Sequence, residues 1–205
     1  MSSFEVVLAS GNAGKIREFQ ALFATTPFKL TSQAQYHVTS AEETGTTFIE
    51  NAILKAKHAA KITGKPAISD DSGLEIDALQ GKPGVYSARY LGAAASESDR
   101  CEGILRELKD IPEPQRTARF QCVLVYMRHH ADPSPVVVQA SWEGKIATSM
   151  QGASGHGYDP IFFLENMNCT AAELSSDQKN TLSHRAQAME KLMQALTKYK
   201  IAEPS

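Results

Sequence analysis

Two pairs of adjacent carboxylates and one glycine-bearing turn hold the groups in this chain best suited to phosphate chemistry. The turn is Ser10-Gly11-Asn12-Ala13-Gly14-Lys15, placed directly after an apolar run. Backbone N–H groups at a helix N-terminus face an anion, the helix dipole favours its charge, and Lys15 adds a point charge. Gly11, Asn12 and Gly14 allow a backbone to approach a ligand closely. Only two residues separate Gly11 from Gly14, and Ile16 follows the lysine where a P-loop carries Ser or Thr, so a metal would have to be held elsewhere. The acids are Glu42-Glu43 and Asp70-Asp71. Hard oxygen ligands from two separate segments suit magnesium, which takes one or two carboxylates plus waters and substrate phosphates. Strand neighbours point to opposite faces, so one of Asp70 and Asp71 faces a site and the other orients it. Taken singly, each feature also reads as plain structure: a tight turn, a solvated pair of charges, an Asp-Asp-Ser-Gly bend. Together they form a coherent set.

Further along, His156-Gly157-Tyr158-Asp159 offers two rings to stack on a base and one acid to read its edge, and Lys179, His184 and Arg185 add cations for a phosphate or a base carbonyl. Ser183-His184-Arg185 falls at the start of, or inside, the last helix. His129-His130 lacks metal-ligand spacing and reads as solvated.

The elements that must carry these groups follow from periodicity. Phe4 to Ser10 reads as a buried strand, and Ile16, Phe19, Leu22 and Phe23 as a helix ending before Pro27. Phe28 to Ser32 is a second strand, and residues 36 to 46 are irregular. Thr47 with Glu50 forms a capping box for a helix to about Thr63, its apolar face made by Ile49, Ala52, Ile53, Ala56 and Ala60. Pro66 to Ser69 is a short strand entering Asp70-Asp71-Ser72-Gly73, Leu74 to Leu79 alternates, and Gly81 to Gly84 turns. Residues 86 to 99 are a loop or short helix, and Ile104, Leu105 and Leu108 mark another helix. Ala118 to Met127 and Val136 to Trp142 form a long hairpin. The chain closes with a helix through Leu182, Ala186, Met189, Leu192, Met193 and Leu196. Helices alternating with strands predict an α/β fold with a mixed sheet.

The chain has 205 residues, with 42% hydrophobic and 21% charged, ordinary for a soluble globular protein. It fits one large domain or two small lobes. A net charge of -2 exerts no general pull on nucleic-acid backbone. Cys101, Cys122 and Cys169 show no disulfide or zinc pattern, which fits a reducing cytoplasm. No apolar run approaches the roughly 20 residues that span a membrane, and no signal peptide is legible.

The ordered series Ser10 to Lys15, Ala41-Glu42-Glu43-Thr44-Gly45 with Thr47 to Ala52, Asp70 to Leu74, Pro83 to Tyr90, Gly157 to Pro160 and Ser183 to Arg185 closely resembles the inosine/xanthosine triphosphate pyrophosphatase family, its bacterial branch in particular. The resemblance spans about residues 4 to 197. It implies hydrolysis of ITP, dITP and XTP to the monophosphate and pyrophosphate with Mg2+. It also implies an elongated mixed α/β sheet in two lobes around a central cleft, a homodimer, and a flexible tail over residues 198 to 205. Carried over residue by residue, Ser10 to Lys15 would hold the triphosphate and Glu43 the magnesium. Asp71 would be the catalytic proton acceptor and a metal ligand, with Asp70 supporting it and Ser72 touching substrate. His156, Gly157, Tyr158, Asp159, Lys179, His184 and Arg185 would contact substrate, Arg185 near the base oxygens. One departure is His156, where the family usually has Phe; altered base affinity with a pH dependence is expected. The rival readings are a pyrophosphatase for another modified nucleotide, separated by a nucleotide panel, and a non-catalytic nucleotide-binding module, excluded by magnesium-dependent hydrolysis.

Overall fold

The computed structural model describes residues 4–198. Among the described residues, a seven-stranded open mixed sheet, in the order β2-β1-β3-β4-β5-β6-β7, carries five α-helices. The strands are β1 (Phe4–Ala9), β2 (Phe28–Ser32), β3 (Ala67–Ile76), β4 (Thr117–Met127), β5 (Val136–Ile146), β6 (Phe162–Leu164) and β7 (Cys169–Thr170). The helices are α1 (Ala13–Phe23), α2 (Phe48–Thr63), α3 (Glu97–Glu107), α4 (Ser176–Leu182) and α5 (His184–Lys198). β1 runs parallel to β2 and to β3, with Leu8 opposite Ile68 and Ala9 opposite Ser69. β6 pairs antiparallel with both β5 and β7.

The chain gathers into two compact units, each with its own core. The first takes residues 4–71, 122–140 and 185–198. Phe19 and Phe23 of α1, Leu8 and Ile68 of the parallel strands, Leu124 of β4 and Leu192 and Leu196 of α5 pack together in it. The second takes residues 72–121 and 141–184. Its core joins Leu74 and Ile76, Ile104 and Leu108 of α3, Phe120 and Trp142, and Ile161 and Phe162.

The helix boundaries follow local chemistry. Asn12 caps α1 by accepting the Lys15 N–H, and Thr47 and Glu50 make the reciprocal capping box of α2. Gly64, in the left-handed region at φ 67°, ends α2. Two expectations are corrected. β3 is one ten-residue strand running through Asp70-Asp71-Ser72-Gly73 without a bend, because it has a sheet neighbour on each side, β1 and β4. The terminal helix is two helices: Ser183 is extended at φ -67°, ψ 160°, leaving Leu182 in α4 and starting α5 at His184. The tail expected over 198 to 205 lies outside the described residues, apart from Lys198, which closes α5. Among the described residues no helix is long and apolar enough to cross a membrane.

Candidate active site

The phosphate turn forms where β1 gives way to α1. The Asn12 N–H donates to Ser10 Oγ at 3.3 Å, and Asn12 Oδ1 accepts the Lys15 N–H at 3.0 Å. Gly11, Asn12 and Ala13 are exposed, so the first turn of α1 presents its N–H groups at the surface. Neither Gly11 nor Gly14 lies in the left-handed region, and a β-carbon on Gly11 would meet Ser40 Oγ only at 3.4 Å.

Parallel pairing of β1 with β3 sets Ala9 beside Ser69, so the next residue on β3, Asp70, arrives level with the turn. Asp70 is buried, and Lys15 Nζ lies 2.5 Å from its Oδ2. The Cys122 thiol donates to Oδ1 at 3.2 Å, and Arg185 Nε stands 3.8 Å from Oδ2. Burial pushes the Asp70 carboxyl up, but Lys15, Arg185 and Lys55 outweigh it and hold it well below the usual carboxylate range. Arg185 also donates to Glu18 Oε2 at 2.6 Å.

Asp71 points the other way, as strand alternation requires. Lys55 Nζ donates to Asp71 Oδ1 at 2.6 Å and to Glu43 Oε1 at 3.1 Å, so one ammonium bridges carboxylates from two segments. Asp71 Oδ2 is buried and has no hydrogen-bond partner. Burial dominates here, and the Asp71 carboxyl is raised despite Lys55 and Lys15. Burial pulls the Lys55 ammonium down, yet Asp71, Asp70 and Glu43 together lift it above its ordinary value. The segment carrying Glu43 is tied to α2: the Gly45 N–H donates to Asn51 Oδ1 at 2.9 Å, and Glu50 Oε2 accepts from the N–H groups of Thr46 and Thr47. A β-carbon on Gly45 would lie 2.6 Å from Glu50 Cβ, so only glycine fits.

The second unit gathers the remaining candidates. Lys179 Nζ lies 2.5 Å from Asp159 Oδ2, both buried, and the same oxygen accepts the His156 N–H at 2.8 Å. Tyr158 is buried and its hydroxyl donates to the Ser87 carbonyl at 2.8 Å. The ring expected to stack on a base is therefore in the core, leaving the half-buried His156 as the ring at the surface of this loop. His184 is buried against Phe120, with ring centroids 4.8 Å apart and nearly parallel. Ser72 follows Asp71 on β3.

Glu43, Asp70, Asp71, Arg185 and the Ser10–Lys15 turn thus belong to the first unit, and His156 to Asp159, Lys179 and His184 to the second. Arg185, expected near a base, is engaged with Glu18 and Asp70. Sequence reasoning missed Lys55, Glu18 and Cys122. A signal existed for two of them. Lys55 follows Ala52 by three positions on the buried side of α2, and Glu18 follows Lys15 by three on α1, so each shares a face with a group already singled out. Among the described residues no three His, Cys, Asp or Glu side chains converge as a metal cage. The cluster can bind an anion at Lys15 and the start of α1, and can accept a cation between Glu43 and Asp71.

The Ham1 family model matches residues 6–195 of this sequence. The chain belongs to the Ham1 family. Among Ham1 relatives, it is 58% identical over 192 residues to the dITP/XTP pyrophosphatase of Shewanella oneidensis, covering 94% of this chain and 93% of that protein. It is 53% identical to the dITP/XTP pyrophosphatase of Vibrio cholerae, covering 94% and 96%. Its fold is similar to the HAM1 protein from Coxiella burnetii, with a TM-score of 0.88, 46% identity and coverage of 95% and 99%. The Staphylococcus aureus Ham1 protein gives a TM-score of 0.83 at 39% identity, with coverage of 96% and 99%.

Proposed function

We propose that this Ham1-family chain hydrolyses the triphosphates of non-standard purines (ITP, dITP and XTP) to the nucleoside monophosphate and pyrophosphate. The names of its relatives support the substrate class. The observation that carries the chemistry is the pairing of lysines with acids at the phosphate turn: Lys15 on Asp70, and Lys55 on Asp71 and Glu43.

Ser10 to Lys15 hold the triphosphate, with the first amides of α1 and the Lys15 ammonium meeting its charge. Asp71 accepts a proton from the attacking water through its unpartnered oxygen; a raised carboxyl pKa brings it closer to neutral pH, where a general base works best. Asp70 stays ionised and fixes Lys15 and Arg185. A divalent cation fits the donor set, since Glu43 and Asp71 are hard oxygen ligands already drawn together by a cation, the Lys55 ammonium. Glu43 and Asp71 would hold magnesium, which when bound would draw charge off the phosphate oxygens. Ser72, His156 to Asp159, Lys179, His184 and Arg185 complete the substrate contacts that the resemblance implies. A cytoplasmic homodimer is the setting it implies, and light scattering on the purified protein tests the dimer.

Pyrophosphate release from ITP, XTP and GTP, with magnesium and with a chelator, tests the function. Stoichiometric pyrophosphate from ITP and XTP, lost on chelation and at least about 100-fold slower with GTP, is expected. Release of orthophosphate, or equal rates for GTP, overturns the proposal.

A further inference from the structure

The loop ahead of Asp159 passes through three left-handed glycines, Gly152, Gly155 and Gly157, and lies outside regular structure. Its shape is set by contacts to other elements. The Asp159 carboxylate, itself paired with Lys179, takes the His156 N–H. A β-carbon at Gly155 would stand 2.1 Å from that carboxylate oxygen, so the loop closes over Asp159 only with glycine there. Tyr158 is pinned through its hydroxyl to Ser87. Between these anchors lies Gly157, and α3 takes both of its backbone polar groups. Glu97 Oε2 accepts the Gly157 N–H at 2.8 Å. One helical turn later, the Cys101 thiol donates to the Gly157 carbonyl at 3.3 Å.

Glu97 and Cys101 are four residues apart and so share a face of α3. Ile104 and Leu108 carry that face into the core of the second unit. The start of α3 is rigid: Ser96 and Asp99 form a capping box, and Arg100 Nη1 donates to the Ala95 carbonyl at 2.6 Å. Burial pushes the Cys101 thiol up to about 12, with Glu97 adding to it, so it remains a protonated donor at every working pH. A carboxylate on an exposed stretch and a buried thiol thus grip the two ends of one loop residue, whose neighbour on one side is the surface ring His156 and on the other the core ring Tyr158.

We propose that Glu97 and Cys101 are positioning residues that set base selectivity by fixing Gly157, and through it the His156 ring. The inference rests on the reading above, in which this loop meets the base. Discrimination between purines differing in one ring substituent depends on groups held within a fraction of an ångström, which a glycine-rich loop does not supply unaided.

The test is steady-state kinetics with ITP and GTP for Glu97→Ala, Glu97→Gln, Cys101→Ala and Cys101→Ser, with His156→Ala as the reference. Glu97→Ala is expected to raise KM for ITP roughly five- to tenfold with kcat within about twofold, and to narrow the ITP-to-GTP ratio of kcat/KM by a similar factor. Glu97→Gln, which keeps an acceptor, recovers most of that loss. Cys101→Ala shifts KM about two- to threefold and Cys101→Ser restores it, as befits a weak thiol donor. If His156→Ala changes the ratio and Glu97→Ala leaves it untouched, the positioning role is overturned while the loop's meeting with the base stands. If neither changes it, the base-side reading of the loop fails first.

Discussion

Asp70 and Asp71 are consecutive residues on one strand, and the same two forces act on them with opposite results. Burial raises both carboxyls; at Asp70 three cations overcome it, and at Asp71 they do not. The sign of each consequence follows. An acid whose folded pKa is raised carries a stability penalty at neutral pH, absent below its unfolded value and fully present above its folded one. An acid whose pKa is depressed contributes stability above its unfolded value and loses it only as pH falls toward the folded one. Asp71→Asn is therefore expected to reduce turnover at least about 100-fold while nucleotide binding persists. The melting temperature should change little, since the burial penalty on the Asp71 carboxylate is lifted while Lys55 keeps Glu43 as a partner. Pyrophosphate release and calorimetry on the same preparation check both. In the metal-free protein the Asp71 carboxyl should titrate above the ordinary aspartate value of about 3.9, and magnesium should lower it. The acids were legible as a pair in the sequence, but their opposite titration was not. It depends on Lys15, Lys55 and Arg185, which only the folded chain brings to them.

At the scale of elements, the site depends on how segments without regular structure are fastened to helices. Glu43 sits on an irregular stretch, yet Asn51 and Glu50 of α2 grip the backbone just after it. Gly45→Ala would place a β-carbon into Glu50 and Asn51 and push that stretch off the helix. The expected result is a loss of activity of about tenfold or more, with magnesium dependence shifted to higher concentration, against a stability cost of about 1–3 kcal/mol. Magnesium titrations of activity alongside urea unfolding separate the two. The capping box that starts α2 was readable because its signal is local, Thr47 and Glu50 three apart. The straight run of β3 through Asp70-Asp71-Ser72-Gly73 was not. Those residue types favour a bend in isolation, and pairing on both sides overrides the preference. Lys55 went unnoticed for a related reason, since its partners lie 12 and 16 residues away.

For the whole molecule, a formal charge of -2 coexists with a local concentration of lysine and arginine around four acids. Cations that are paired with neighbouring acids offer little to a polyanion, whereas a single triphosphate can compete for them one at a time. Duplex DNA in large excess over ITP is thus expected to leave the rate unchanged, and a competition assay would expose any nucleic-acid affinity. The alternation of strands and helices announced the mixed sheet, and the hairpin of β4 and β5 was legible from its alternating residues. Where the two cores divide was not, because β3, β4 and β5 each pass from one to the other without any break in composition.

The thiol resting on Asp70 carries a consequence in redox chemistry. Peroxide attacks thiolates, and a thiolate at Cys122 would have to form beside an ionised carboxylate in a buried site. Burial, then Asp70, keeps that thiol protonated, and burial likewise raises Cys101 and Cys169. Cys101 and Cys122, both buried, are thus poor targets for oxidants. Activity should survive millimolar peroxide that inactivates low-pKa thiol enzymes, with mass spectrometry finding Cys122 unmodified. A sanitising enzyme built this way would keep working when oxidants are present in the cell.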